Sequence, residues 1–217
     1  MTKNWAQWHE DYDNPNSWLA QRLEIVQRDL RRALVHAPCD PDGTRRLISI
    51  CAGEGRDVLP VLADDDHGYA VRALLVELDQ NLSQRARTTA ATLGLSNVEV
   101  ATADAGEVEV YRSVTPAHVI MACGVFGNIS SDDIQRTIAT LPVLLTVGGI
   151  VIWTRGLLDN GYDPSLEVRR CLEKHGFAEL SFSSPAGSRN RVGMHQLSAH
   201  PAYAAPVHSC TRIFDFL

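Results

Sequence analysis

The side chains best suited to chemistry gather in Cys51-Ala52-Gly53-Glu54-Gly55-Arg56-Asp57 and at Glu77. Gly53 and Gly55 permit backbone angles that a Cβ forbids, and they let a ligand lie directly against the main chain. Glu77 stands 22 residues beyond Gly55, a spacing at which a carboxylate can accept hydrogen bonds from ribose hydroxyls. A dinucleotide fingerprint would place a third glycine at position 58, where Val58 stands, and no Gly-Lys-Ser/Thr follows to hold a triphosphate. What remains is a turn that approaches a ligand closely without cradling a pyrophosphate.

These residues need rigid elements on either side. Leu47-Ile48-Ser49-Ile50 reads as a strand buried on both faces. With Asp57 as N-cap, Pro60 falls at the third helical position, where no intrahelical donor is required, so the turn covers Cys51 to Arg56. A second apolar run, Ala73 to Val76, ends in Glu77. Asp79 caps a helix carrying Leu82, Ala86, Ala90 and Leu93 that stops at Gly94, and it is a second candidate for the ribose. Val98 to Thr102 alternates like a strand and leads to Asp104 and Ala105. Ala117 to Ala122 is a fourth strand, followed by Cys123-Gly124-Val125-Phe126-Gly127-Asn128. Further on come a helix from Asp132 to Leu145, a strand from Ile150 to Thr154 ending at Arg155, a helix from Ser165 to His175, and strands Phe177–Ser183 and Val192–Ser198. Seven strands with interleaved helices predict an α/β sandwich with a largely parallel sheet, and ligands of such sheets bind outside the carboxyl ends of the strands.

Ile48 to Gly55, Glu77 and Asp104 together resemble the class I S-adenosylmethionine-dependent methyltransferases, over nearly the whole chain. The nearest likeness is to actinobacterial-type members of unassigned substrate with a Cys-Ala-Gly-x-Gly-Arg-Asp turn. Cys51 and Ala52 stand where the family's first glycine and its successor usually lie, and Ser49 replaces an acid often found in that strand. The resemblance implies a Rossmann-like three-layer sandwich of seven strands with an antiparallel last strand, plus an N-terminal helical arm. It implies S-adenosylmethionine bound by Cys51, Ala52, Gly53, Glu54, Gly55 and Asp57, by Glu77 and Leu78, and by Cys123, Gly124 and Val125. It assigns Asp104 to the adenine amine and the backbone of Ala105 to a ring nitrogen; a carboxylate suits an amine because it only accepts. The loop after the fourth strand lacks the Asp/Asn-Pro-Pro-Tyr/Phe of enzymes acting on nucleic-acid amines and the Pro-Cys of those acting on cytosine carbon.

The chain has 217 residues, 45% of them hydrophobic, which fits one domain. Its formal charge of −6 disfavours affinity built on neutralising phosphates, so nucleic acid is not expected as a partner. Five cysteines without a Cys-x-x-Cys pair read as reduced thiols, and the absence of an apolar signal core or membrane-length run predicts a cytoplasmic protein. Asp64-Asp65-Asp66 lacks the ligand spacing of a metal site and reads as a solvated loop, so no metal is expected. A homodimer stays open.

Residues 1–35 form the arm, ahead of a core at 36–217. Asn16 or Ser17 caps a helix with Leu19, Leu23, Val26, Leu30 and Leu34 at three- and four-residue steps. Before it, Trp5 to Asp13 either folds over the cofactor as a lid, as the resemblance implies, or anchors the helix. Catalytic candidates are His9, Tyr12 and Asn128; those facing the acceptor are Tyr12, Phe126, Asn128 and Arg155. Cys123 has no base beside it in sequence and reads as a packing thiol, His195 as a packing histidine, and the apolar end of the tail, Ile213 to Leu217, as docked on the body. The expected activity is in-line transfer of a methyl group to an O, N or S atom of a small molecule. The alternatives are a non-catalytic S-adenosylmethionine binder and a nicotinamide-dependent oxidoreductase.

Overall fold

The computed structural model describes residues 12, 14, 17–64, 70–185, 187–201 and 212–216. Ser17 opens the first helix, its side chain accepting from the Ala20 N–H at 3.0 Å, and α1 runs over Trp18–His36. Then follow β1 (Arg45–Ile50), the single turn α2 (Leu59–Leu62), β2 (Val71–Glu77) and α3 (Gln80–Thr92). After β3 (Val98–Thr102) a 3₁₀ turn occupies Val108–Val114, which periodicity did not disclose. The remainder is β4 (Ala117–Ala122), α4 (Ser131–Leu144), β5 (Leu145–Gly156), α5 (Ser165–Lys174), β6 (Phe177–Ser183) and β7 (Asn190–Leu197).

Among the described residues, seven strands make one sheet in the order β3-β2-β1-β4-β5-β7-β6. The first five are parallel, and β7 runs antiparallel to both β5 and β6. This is the expected Rossmann-like sandwich with an antiparallel last strand. Alternation along the strands divides the core in two. Leu47, Ala73, Leu75, Val119, Met121, Ile150 and Ile152 face one layer, with Val26, Leu30 and Ala33 of α1 and Ala86 and Ala90 of α3. Ile48, Ile50, Leu74, Val76, Ile120, Val151 and Trp153 face the other, with Ile134, Ile138 and Leu141 of α4 and Leu172 of α5. Helix α1 packs against β5 and β7, and its apolar stripe shares the core of the sheet.

Strand β5 is longer than the apolar run at Ile150–Thr154, because it begins directly at the end of α4 and includes Gly148 and Gly149. The chain moves from β1 outward to β3 and then returns to β4 on the other side of β1. That reversal leaves a crevice over the carboxyl ends of β1 and β4, the place where open α/β sheets bind ligands.

Candidate functional site

The turn after β1 coils back on itself. Ala52 N–H donates to the Val76 carbonyl at 2.9 Å and Gly55 N–H to the Ala52 carbonyl at 2.9 Å. Cys51, Gly53 and Gly55 have φ of 55°, 57° and 75°. Cys51 therefore holds a left-handed backbone without being glycine, at a cost of roughly 1–2 kcal/mol, in the position where the resembled family usually carries glycine. Gly55 has a different duty from the ligand contact expected of it. A Cβ there would lie 2.7 Å from Leu59 Cδ1 and 3.0 Å from Leu75 Cδ2, so it seats α2 against the sheet. Asp57 does not cap that helix: Val58 is the N-cap, no side chain bonds there, and Pro60 falls at the second helical position.

Glu77 ties the turn to the next strand. Its Oε2 accepts from Gly53 N–H at 2.8 Å and its Oε1 from Asp79 N–H at 2.8 Å, which leaves lone pairs on both oxygens. Asp79 spends Oδ1 on the Asn81 and Leu82 N–H groups at 2.8 and 3.0 Å, the cap expected for α3. Glu54 is nearly buried and bridges Arg56 at 2.9 Å and Arg85 at 2.6 Å. At the end of β3, Asp104 accepts from Gly106 N–H at 2.8 Å and from Arg212 Nη2 at 2.9 Å.

After β4, Gly124 takes φ 81° and donates its N–H to Thr154 Oγ1 at 2.8 Å. Asn128 Nδ2 donates to the Gly124 carbonyl at 2.6 Å, so it braces this loop. Arg22 reaches the same place from α1: its Nη1 lies 3.8 Å from where a Gly124 Cβ would be. Arg22 also donates to the Tyr12 hydroxyl, and the Tyr12 ring lies against both the Arg22 guanidinium (5.6 Å) and that of Arg56 (5.5 Å).

These groups enclose a cavity of about 350 Å³ lined by Tyr12, Arg22, Cys51, Ala52, Gly53, Glu54, Arg56, Asp57, Glu77, Leu78, Asp79, Leu82, Asp104, Ala105, Cys123, Gly124 and Phe216. Burial pushes the Cys51 thiol well up, helped by Glu77 and Asp104, and it does the same to Cys123, helped by Asp57. Both thiols stay protonated near neutral pH and act as small apolar walls, not nucleophiles. Burial also raises the Tyr12 phenol. It opposes the charge on Arg22, but the Tyr12 oxygen that accepts from it and the Asp57 carboxylate act the other way, and the guanidinium lies above its ordinary value.

Most residues expected at a cofactor meet in this one cavity, and several of the others do not line it. Val125 and Phe126 are fully buried in the core, Phe126 with its ring 6.3 Å from that of Trp153. Arg155 Nη1 donates to the Phe126 carbonyl at 2.5 Å, and the carboxylate that acts on it is that of Glu167. Trp5, Trp8, His9 and Asp13 lie outside the described residues, as do Asp65 and Asp66; Asp64 pairs with Arg31 at 3.3 Å. Among the described residues no three His, Cys, Asp or Glu side chains group as a metal site.

The sequence reading missed Arg22, Arg56, Leu82 and Phe216 as wall residues. A signal existed for Arg22. It sits three residues after Leu19 and four before Val26, inside the apolar stripe of α1, and a cation in that register must find a polar pocket. Phe216 carried no such mark, since nothing local tells which ring of an apolar tail faces a cavity.

No family model and no curated protein matches the chain. Solved structures do resemble it. A magnesium protoporphyrin IX methyltransferase from Synechocystis PCC 6803, with bound SAM, superposes with a TM-score of 0.65 at 13% identity, covering 90% of this chain and 91% of that one. An O-methyltransferase family protein from Burkholderia thailandensis gives 0.63 at 16% identity over 82% of this chain, which spans only 55% of that protein's length. An RNA methyltransferase from Salinibacter ruber, in complex with S-adenosyl-L-homocysteine, gives 0.53 at 19% identity, covering 84% of this chain and 96% of that one. The fold is thus the class I fold of S-adenosylmethionine-dependent methyltransferases.

Proposed function

We propose that this chain binds S-adenosylmethionine in the cavity and transfers its methyl group to an O, N or S atom of a small-molecule acceptor. The observation that carries this reading is the Gly53–Glu77 link at the head of a cavity lined by Asp104 on one strand end and by Arg22 with Asp57 beside another. The donor set matches the ligand's chemistry. Glu77 keeps lone pairs for a ribose diol, Arg22 suits an amino-acid carboxylate, Asp57 suits its ammonium group, and Asp104 suits an exocyclic amine. The cavity volume falls within the range of small-molecule sites. Two of the structural neighbours hold this cofactor or its demethylated product.

The bound sulfonium supplies a methyl group already activated for displacement. The protein's part is then to position the acceptor and exclude water, which can supply much of the acceleration. Tyr12, with its phenol raised and its oxygen bonded by Arg22, serves as a wall and hydrogen-bond group, not as a base. His9 remains the candidate base, and the segment around it the candidate lid. A net charge of −6 favours a small acceptor over RNA, although the solved structures that resemble the chain include an RNA methyltransferase and an rRNA methylase.

The test is calorimetric titration with S-adenosylmethionine, S-adenosylhomocysteine, NADH and NADPH, followed by transfer of labelled methyl to an acceptor panel and to nuclease-treated cell extract. We expect saturable binding of the first two ligands alone and label in a small-molecule fraction. Binding of a dinucleotide instead would establish the oxidoreductase reading. Tight binding of the methyl donor with no transfer to any fraction would leave a non-catalytic binder.

A further inference from the structure

Three arginines and three acids meet where the end of β5, the start of α5 and the start of β7 come together, and two of the pairs close. Arg189 Nη2 reaches Asp159 at 2.9 Å, and Arg191 Nε reaches Asp163 at 2.6 Å. The third acid, Glu167, instead accepts from the Tyr162 hydroxyl at 2.5 Å. Arg155 is left over. Burial pushes its guanidinium below the ordinary value, and the Glu167 carboxylate opposes that from beyond ion-pair distance. Arg155 and Arg191 are also direct partners in the β5–β7 register, a facing of like charges that costs stability, and Asp163 relieves it on the Arg191 side alone.

The Arg155 head has bonding capacity to spare. Its Nη1 donates to the Phe126 carbonyl at 2.5 Å, while its Nε is buried without a hydrogen-bond partner. Folded chains seldom leave a buried donor unpaired, and the cost is greater when the group is charged. Its position bears on the cavity. Thr154, the residue before it, accepts the N–H of Gly124 in the cavity wall at 2.8 Å, and the Phe126 carbonyl belongs to the same loop after β4. Strand β5 lies beside β4, about 4.8 Å away, so Arg155 borders the cavity on the side beyond Gly124. Glu77 and Asp104, at the ends of β2 and β3, stand on the opposite side.

We propose that Arg155 binds an oxyanion of the methyl acceptor, a carboxylate or a phosphate that is a handle and not the atom methylated. A planar guanidinium with most of its donors unspent suits either group, and an incoming anion supplies the charge partner that Asp159, Asp163 and Glu167 do not. This rests on the methyl-transfer reading above and deepens it by naming the acceptor class, a small anion.

The experiment uses the full-length chain, labelled S-adenosylmethionine and the nuclease-treated extract, with labelled products run on an anion exchanger at neutral pH before and after phosphatase treatment. In parallel, hydroxy- and mercapto-carboxylates are compared as acceptors with their primary amides. We expect the labelled product to be retained on the exchanger. Retention that phosphatase abolishes identifies a phosphate and retention that survives it a carboxylate, and both support the proposal. In the panel, an acid should exceed its amide in kcat/KM by about tenfold or more, the scale of a lost hydrogen bond to a charged group. Arg155→Gln should bring the anionic acceptor down to the level of the neutral one, chiefly through KM, with S-adenosylhomocysteine affinity in calorimetry changed less than about twofold. Arg155→Lys, which keeps the charge, should recover part of the difference. An Arg155 that only braces the loop through Phe126 would slow anionic and neutral acceptors alike in Arg155→Gln; that result, or a labelled product that the exchanger does not retain, would overturn the proposal. A wild type that binds no S-adenosylhomocysteine, or binds it and transfers no label, would instead remove the reading on which the proposal rests.

Discussion

The two halves of the sheet solve the same packing problem in opposite ways. At the carboxyl ends of β1 to β4 the strands stop at small or acidic residues, and about 350 Å³ stays open between them. Between β5, β7 and β6 the space is filled by a single indole. Trp153 is fully buried, packs 6.3 Å from both Phe126 and Phe182, and presses on Gly193 so closely that a Cβ there would lie 2.3 Å from its Cε2. Its Nε1 donates to His195 Nδ1 at 3.2 Å, and His195 Nε2 faces Glu179 Oε2 at 3.6 Å. One half gives up packing to expose hydrogen-bonding groups; the other gives up ligand space for stability. The halves meet at Thr154, which follows Trp153 and receives the N–H of Gly124 in the cavity wall.

If this division holds, damage to the closed half changes stability and spares binding, and damage to the open half does the reverse. The largest effect is expected from Gly193→Ala, where the new methyl meets a rigid indole and overpacking costs about 3 kcal/mol. Chemical denaturation should show that loss, while the folded fraction binds cofactor with unchanged affinity in calorimetry.

Next comes pH. Burial lowers His195 to about 4, against a smaller opposing effect of Glu179 and with Arg169 nearby. Because the folded state holds this imidazole neutral, its contribution to stability is full above about pH 6.5 and is lost as pH falls from there towards 4. The loss should amount to roughly 2–3 kcal/mol at about pH 4. Denaturant midpoints followed across that window should fall more steeply for the wild type than for His195→Gln, whose amide oxygen still accepts from Trp153 without titrating. Equal slopes would refute the assignment.

Glu77→Ala tests the open half. Loss of a charged acceptor should weaken cofactor binding by about 1.5–3 kcal/mol. It also strips Gly53 and Asp79 of their acceptor, so Glu77→Gln, which keeps one carbonyl oxygen, should bind between the two. Undiminished calorimetric affinity in Glu77→Ala would refute the ribose assignment.

Much of the fold was legible because its causes are local. Apolar runs in steps of two, the caps Ser17 and Asp79, and the stop at Gly94 mark elements whose limits depend on a few neighbouring residues. Asp57 misled because it looks like a cap, yet Val58 and Pro60 set the helix start and leave Asp57 facing the cavity. Gly53 and Gly55 are alike on paper, yet Gly53 lines the cavity and bonds Glu77, while a Cβ on Gly55 would meet Leu59 and Leu75.

By itself, then, the sequence determined the alternation of strands and helices, the left-handed turn after β1 and the carboxylate at the end of β2, since each is encoded within a short window of backbone and side-chain preferences. Tertiary structure alone decided that Arg22 from before β1 and Phe216 from beyond β7 share a cavity with that turn, and that Arg212 pairs with Asp104 at its edge. Such contacts can join residues more than a hundred positions apart, as with Asp104 and Arg212. They arise from the order in which the strands assemble, which no local pattern records.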